Sequence, residues 1–330
     1  MTHRLRIRRD VGTNRDYRQS RPRALPAAFR RPRLLLVGCG DVGLRIAALA
    51  GARWRVAGTA RRPDQAERIR AVGARALAID LDDRRSVARL AGLRARVIDL
   101  APPPAAGDDD PRTRRLLAAL AAGARTGRAR WVYVSTTGVY GDAGGAAFDE
   151  TRPVAPSSDR ARRRVAAERR MRAAGRRGQA RVTILRVPGI YAHDRLPLAR
   201  LRDGTPALTA DDDVHTNHIH AEDLARACLA ALARGRANRV VHTVDDSGMK
   251  MGEYFDAVAD RFGLPRPPRL SRAEIARRVT PAMLSFMSES RRLANRRLKA
   301  ELRLRLRWPT VAATLADPRL GHPVAGALLP

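Results

Sequence analysis

The stretch that most constrains this chain runs from Arg33 to Ala47 and reads RLLLVGCGDVGLRIA. Four consecutive apolar residues, Leu34 to Val37, read as a short strand buried on both faces. Gly38, Gly40 and Gly43 follow at the spacing G-x-G-x-x-G, and an alanine-rich helical pattern begins at once. In this setting Gly38 permits a tight turn, Gly40 lets backbone approach a pyrophosphate, and Gly43 lets helix and strand pack closely. The helix N-terminus adds unpaired N–H groups and the positive end of its dipole. The strand before and the helix after separate this motif from a glycine-rich loop that is merely a turn. It predicts dinucleotide binding, with Gly38, Cys39, Gly40, Asp41, Val42 and Gly43 as the phosphate turn.

Downstream the pattern alternates strand and helix, which specifies an α/β fold with a Rossmann-type, doubly wound parallel sheet. Strands are expected at 54–59, 76–80, 95–100, 130–134 and 182–187. Helices are expected from Asp64, as a cap just after Pro63, from Pro111 to about 124, and over 158–174. Past Pro188-Gly189, short elements, prolines and histidines dominate until a helix at 221–233. A strand then returns at 239–244, followed by a helix at 251–262 and a proline-broken, helical C-terminal region. The division read from this is a disordered basic arm over 1–30, an NAD(P)-binding domain over 31–187, and a smaller C-terminal substrate lobe with helices over 188–330.

Composition excludes several classes. With 330 residues and 44% hydrophobic content the chain can build a large core. Its two cysteines, Cys39 and Cys228, form no metal or redox motif, which suits a cytoplasmic location. No apolar run reaches membrane-spanning length, and no secretory apolar core is visible at the N-terminus. A net charge of +32 invites a nucleic-acid reading. Against it, the basic residues are arginines apart from Lys250 and Lys299, they are scattered, and aromatics make up only 4%. Compositional drift toward arginine is preferred, so no specific nucleic-acid partner is expected, only salt-sensitive contact with polyanions. The arm before Arg31 partly resembles an organelle transit peptide, with disorder the preferred reading.

The second strand ends in Thr59-Ala60-Arg61-Arg62, with no Asp or Glu to accept a ribose 2′-hydroxyl. Arginine can pair bidentately with a 2′-phosphate, so NADP is preferred over NAD, with Arg61 and Arg62 at that phosphate. Asp80 and Leu81, after the third strand, are candidate neighbours of the adenine, and Asp80 equally suits a loop cap.

Three segments together resemble a family: the glycine turn, Ser135-Thr136-Thr137-Gly138-Val139-Tyr140-Gly141-Asp142, and Asn217-His218-Ile219-His220-Ala221-Glu222-Asp223-Leu224. They resemble the extended short-chain dehydrogenase/reductases, the NAD(P)-dependent epimerase/dehydratase group, and most of all its atypical members. The resemblance implies that a Ser or Thr after strand five hydrogen-bonds the substrate oxygen. It also implies a Tyr-x-x-x-Lys pair, in which the Lys depresses the Tyr pKa and holds the nicotinamide ribose. Here Arg160 stands where that Tyr belongs and Arg164 where the Lys belongs. Arg164 can still hold ribose, but a guanidinium stays protonated, so Arg160 is no base. The reacting centre is therefore expected at Ser135, Thr136, Thr137 and Tyr140. Tyr191 is a second candidate, better read as a locally satisfied buried aromatic. The alternative to an oxidoreductase or epimerase-like enzyme is a non-catalytic NADP-binding sensor or scaffold.

His215, His218 and His220 tempt a metal reading, but no cysteine completes a zinc set, and no metal is expected. On a strand His218 and His220 share a face, where they line the lobe or bond the following helix start. Asp211-Asp212-Asp213 reads as a solvated turn and Trp308 as core. Ser135 lacks a G-x-S-x-G elbow, which disfavours a hydrolase. The expected partners are a small-molecule substrate and, as the assembly left open, a second copy of the chain in a homodimer; no membrane is involved.

Overall fold

The computed structural model describes residues 31–93, 96–121 and 129–320. The expected basic arm and the end of the helix begun at Pro111 lie outside the described residues. Seven strands form the central sheet: β1 (Arg33–Val37), β2 (Arg55–Ala60), β3 (Arg75–Ala78), β4 (Arg96–Asp99), β5 (Ala129–Thr136), β6 (Ala180–Val187) and β7 (Arg239–His242). Their order is β7-β6-β5-β4-β1-β2-β3, and every pairing is parallel. The order reverses between β1 and β4, which opens a crevice beyond their carboxyl ends.

The residues explain the layering. Alternation along β1 sends Leu34 and Leu36 to one face and Leu35 and Val37 to the other. The first face carries α1 (Asp41–Ala50), contributing Ile46 and Ala47. The second is covered by α4 (Pro111–Ala121), through Leu116, and α5 (Asp159–Arg176), through Ala167 and Met171. Between α1 and α4 in sequence come α2 (Pro63–Ala71) and α3 (Arg84–Ala88). The two sets form separate clusters, so the sheet is buried on both sides. Capping agrees with residue type: Asp83 accepts from Arg85 and Ser86 N–H, and Ser158 from Ala161 N–H. Asp64 is not the cap of α2. Pro63 opens that helix, and the Asp64 carboxylate pairs with Arg62 instead.

Three small parallel ladders lie outside the sheet among the described residues: 189–191 with 218–220, 207–208 with 269–270, and 147–148, before α5, with 292–293. Helices α6 (Ala221–Arg234) and α7 (Met251–Phe262) flank them. α6 also returns to the first core face through Leu224, Ala225 and Cys228. Fully buried Asp223 on α6 fixes the C-terminal segment. Its carboxylate accepts from Arg307 N–H at 2.9 Å and Trp308 N–H at 2.8 Å, and pairs with Arg226 at 2.6 Å.

Replacing Asp223 with Ala strands the buried Trp308 N–H, the part-buried Arg307 N–H and an arginine, so Asp223→Ala is expected to cost on the order of 3 kcal/mol. Urea unfolding, with Asp223→Asn as the partial rescue, checks it.

Candidate active site

The glycine turn sits at the β1–β4 crevice. Gly38 has φ +74°, and a Cβ there would lie 2.7 Å from the Ala101 backbone. Its N–H donates to Thr59 Oγ1 at 2.9 Å. Around the corresponding point on Gly40 there is no described atom within 4 Å. No described side chain caps α1 either, so its first N–H groups face that open space. A Cβ on Gly43 would meet Cys39 Sγ at 3.0 Å, which is close packing under the turn. The residues present fit a dinucleotide diphosphate: an uncapped helix start beside a space a side chain would fill.

Not every residue of the turn faces that space. Cys39 is fully buried against Gly43 and the Gly58 backbone, and burial pushes its thiol up to about 11. Val42 belongs to the core. The side chains of these two therefore pack beneath the turn, which leaves their backbone to it. Asp41 opens α1 and pairs with Arg45 and with Arg195, which comes from the turn after 189–191. At the end of β2, the Arg62 fork is taken by Asp64 at 3.0 and 3.1 Å, while Arg61 is exposed. Asp80 caps its own loop, accepting from Asp82 N–H at 2.9 Å. Leu81 packs on the second core face, and its carbonyl accepts from Arg115.

The other end of the crevice is formed by β5 and α5. Ser135 is 3% exposed and its Oγ has no described partner. Thr136 is half-buried and its Oγ1 accepts from Gly138 N–H at 3.2 Å. Thr137 is buried in the 3-10 turn Thr137–Tyr140. Arg164 is buried, and its Nη1 donates to the carbonyls of Ala101 (3.3 Å) and Val134 (2.9 Å) and to Tyr133 Oη (3.1 Å); Nε has no described partner. It thus binds the ends of β4 and β5 together at the lip of the crevice. Arg160, one turn earlier on α5, is coupled electrostatically to Arg164 and Glu289.

Tyr140 is where the structure departs most from expectation. It is 1% exposed, and its hydroxyl accepts from Arg186 Nη1 at 2.6 Å. That hydroxyl also lies 2.5 Å from His242 Nε2. His242 Nδ1 lies 3.0 Å from the Ala294 carbonyl. A carbonyl only accepts, so Nδ1 carries the proton and Nε2 accepts from the phenol. Burial raises the Tyr140 pKa despite the opposing charge of Arg186, and it lowers His242 to about 4. The hydroxyl is bonded to Arg186 and His242 inside the core, whereas the sequence reading expected Tyr140 at the reacting centre. Tyr191 is also buried, beside Thr314 Oγ1 at 3.4 Å.

Glu289 was missed from sequence. It precedes the 292–293 strand, and Oε2 lies 4.0 Å from the Cβ position at Gly138. Oε1 accepts from Ser157 Oγ at 2.9 Å and Oε2 from Arg291 at 2.7 Å. Ser290 fastens the segment, with Ser290 N–H on Asp142 (2.7 Å) and His215 N–H on Ser290 Oγ (3.0 Å). The signal that could have found it is slight: one glutamate in an arginine-rich segment far along the chain. The histidines form no catalytic set with this centre. His220 Nδ1 accepts from Glu222 N–H at 3.2 Å and so bonds the start of α6.

Asp99, at the end of β4, is fully buried, and burial with the nearby Asp110 charge raises its pKa to about 7. The folded state therefore holds its proton more tightly than the unfolded chain. Stability from this group is complete below about 4, the ordinary carboxylate range, and is lost as pH rises to about 7. Asp99→Asn, which keeps an acceptor for Ala101 N–H, is expected to be more stable than the parent at pH 8. The difference should shrink toward pH 4, as read by thermal unfolding across pH.

A family model described as NAD dependent epimerase/dehydratase matches residues 40–244. A search of curated proteins finds no match. Among solved structures, a functionally unknown conserved protein from Silicibacter pomeroyi DSS is 32% identical, with 86% of this chain and 96% of that chain covered and a TM-score of 0.72. A dTDP-glucose 4,6-dehydratase from Bacillus anthracis, solved in complex with NAD, has a TM-score of 0.71 at 16% identity, covering 86% of this chain and 94% of that chain. MoeE5, solved with UDP-glucose and NAD, has a TM-score of 0.67 at 22% identity, with 86% and 96% covered. The last two show likeness of fold. With the matched model, the parallel sheet and the glycine turn in agreement, the chain belongs to the NAD-dependent epimerase/dehydratase family.

Proposed function

We propose that this protein is an NADP-preferring oxidoreductase or epimerase/dehydratase-like enzyme acting on a small molecule. The observation that carries this reading is the open space at Gly40 in front of the uncapped α1, with Arg61 exposed at the end of β2. In this reading the N–H groups at the start of α1 hold the diphosphate. Arg61 takes the 2′-phosphate, because Arg62 is engaged by Asp64. Asp80 and Leu81 border the adenine. Arg164 orients the nicotinamide ribose from its seat on the Ala101 and Val134 carbonyls. When bound, the dinucleotide supplies a two-electron hydride acceptor or donor.

Ser135 and Thr136 hydrogen-bond the substrate oxygen, with Thr137 supporting the turn. Arg160 adds positive charge that favours an oxyanion but moves no proton. The proton falls to Glu289, the carboxylate beside Ser157 and the Thr136–Gly138 turn. Tyr140 acts at a distance, holding β5, β6 and β7 in register.

A second reading is favoured by Arg160 and by the sequestered Tyr140: a protein that binds the dinucleotide without turning it over. Nucleotide sugars, present in related structures, form the first panel of test substrates.

Titration with NADPH and NADH is expected to show tighter NADPH binding, with Arg61→Ala weakening NADPH about tenfold and NADH little. Equal affinities for the two nucleotides would refute the NADP preference. Gly40→Ala is expected to keep the thermal stability of the parent, since its Cβ meets no described atom, yet to lose most dinucleotide affinity. Retained affinity in that variant would move the diphosphate elsewhere. Turnover of a panel substrate that survives in Tyr140→Phe and collapses in Glu289→Gln would select the enzyme reading.

A further inference from the structure

Arg195 lies outside the glycine motif, 154 residues from Asp41, yet its Nη1 donates to Asp41 Oδ2 at 2.9 Å. Asp41 is the first residue of α1, next to Gly40. The turn that carries Arg195 is held independently on both sides. In front, Arg45 Nη2 reaches both carboxylate oxygens of Asp194 at 2.6 Å. Behind, His193 bonds Asp317 at 2.9 Å and His220 at 3.3 Å, and its ring meets Trp308 edge-on with centroids 4.7 Å apart. The turn is therefore tied on both sides, and it sets the Arg195 guanidinium on the carboxylate of the first residue of α1.

Electrostatics make that placement odd for a purely structural arginine. A cation is unfavourable at a helix N-terminus, where the dipole is positive. Asp41 offsets this while the site is empty of anions. A diphosphate arriving at the same N–H groups would bring two negative charges next to the Asp41 carboxylate. Resting on the dinucleotide reading above, we propose that Arg195 is a diphosphate-binding residue of the cofactor site, shared between Asp41 and the incoming phosphates. Its fork serves a phosphate oxygen better than a lone carboxylate oxygen. Arg45 stays with Asp194 and keeps the turn in place. The cofactor site then draws on the segment after β6 as well as on the nucleotide half.

The test is equilibrium binding of NADPH and NADH to the full-length protein and to two variants, followed by fluorescence or calorimetry. Arg195→Ala is expected to weaken the dinucleotide that binds by about tenfold, the effect of one charge-assisted contact. Asp41→Asn is expected to act the opposite way, tightening binding severalfold, because it removes both the competitor for Arg195 and a negative charge beside the diphosphate. If the Arg195–Asp41 pair were only architecture, both variants would lose the same contact and change affinity in the same direction. Same-direction changes, or no change in Arg195→Ala, overturn the proposal while leaving the dinucleotide reading intact. If Arg195→Ala fails to fold, Arg195→Lys, which keeps the charge and loses the fork, is expected to weaken binding severalfold, and unchanged affinity in that variant overturns the proposal. Failure of the parent to bind either nucleotide overturns both readings.

Discussion

The guanidinium of Arg186, at the end of β6, holds together elements that would otherwise only adjoin. It grips Glu168 of α5 through two hydrogen bonds, at 3.0 and 2.6 Å, and donates to Tyr140 of the turn after β5. Tyr140 passes the chain to His242 of β7, and His242 to the Ala294 carbonyl. Glu150 extends it, accepting from His242 N–H at 2.8 Å and pairing with Arg297. Arg186 and Glu168 are both nearly fully buried. A buried ion pair of this kind gains little over an apolar pair, but losing one partner leaves a stranded charge worth about 3–5 kcal/mol. Its value is in position: sheet, α5 and the 292–293 strap fit in one arrangement.

That arrangement explains the chemistry of the site. In a Tyr-Lys pair, one cation tunes one phenol at the cleft. Here the cations at the two positions are Arg160 and Arg164, and the Tyr140 phenol is enclosed within the network. Arg164 lies on strand-end carbonyls and so serves as a spacer between β4 and β5 as well as a charge. The strap that Arg186 anchors indirectly through His242 and Ala294 is the one that delivers Glu289 to the Thr136–Gly138 turn. The strap brings the Glu289 carboxylate close enough to Arg160 of α5 for the two charges to interact.

The sheet was legible because its signals are local. Runs such as Leu34–Val37 and Val182–Val187 alternate between two buried faces, and the glycine spacing carries its own geometric need, which the φ of Gly38 and the proximity of Ala101 bear out. The ladders after Pro188 were not legible, since pairs as short as 207–208 with 269–270 have no periodicity of their own. Residue types at the site were visible, but not which way they turn. Tyr140 stands in a motif beside reactive residues, and only the distant Arg186 and His242 decide that its hydroxyl points inward. Glu289 and Arg195 reach the crevice through contacts spanning more than a hundred residues, a distance over which spacing carries no information. Asp64 was read as a cap when Arg62 beside it offered a stronger partner.

The excess of arginine takes on a structural meaning in the same light. On composition alone, a net charge of +32 points to a polyanion. In the fold many guanidinium groups bond carbonyls in loops, past element ends or on the edge strand: Arg163 on Gly107, Arg181 on Gly235, Arg234 on Leu302, Arg291 on Gly141 and Arg297 on Val240. A lysine could reach some of these, but a planar fork with five donors can bond a carbonyl and a carboxylate at once, as Arg291 does with Gly141 and Glu289. Carbonyls at strand and helix ends lack partners within their own elements, so arginine drift supplies donors where the fold has surplus acceptors. Charge used in this way acts locally, on named acceptors of the fold.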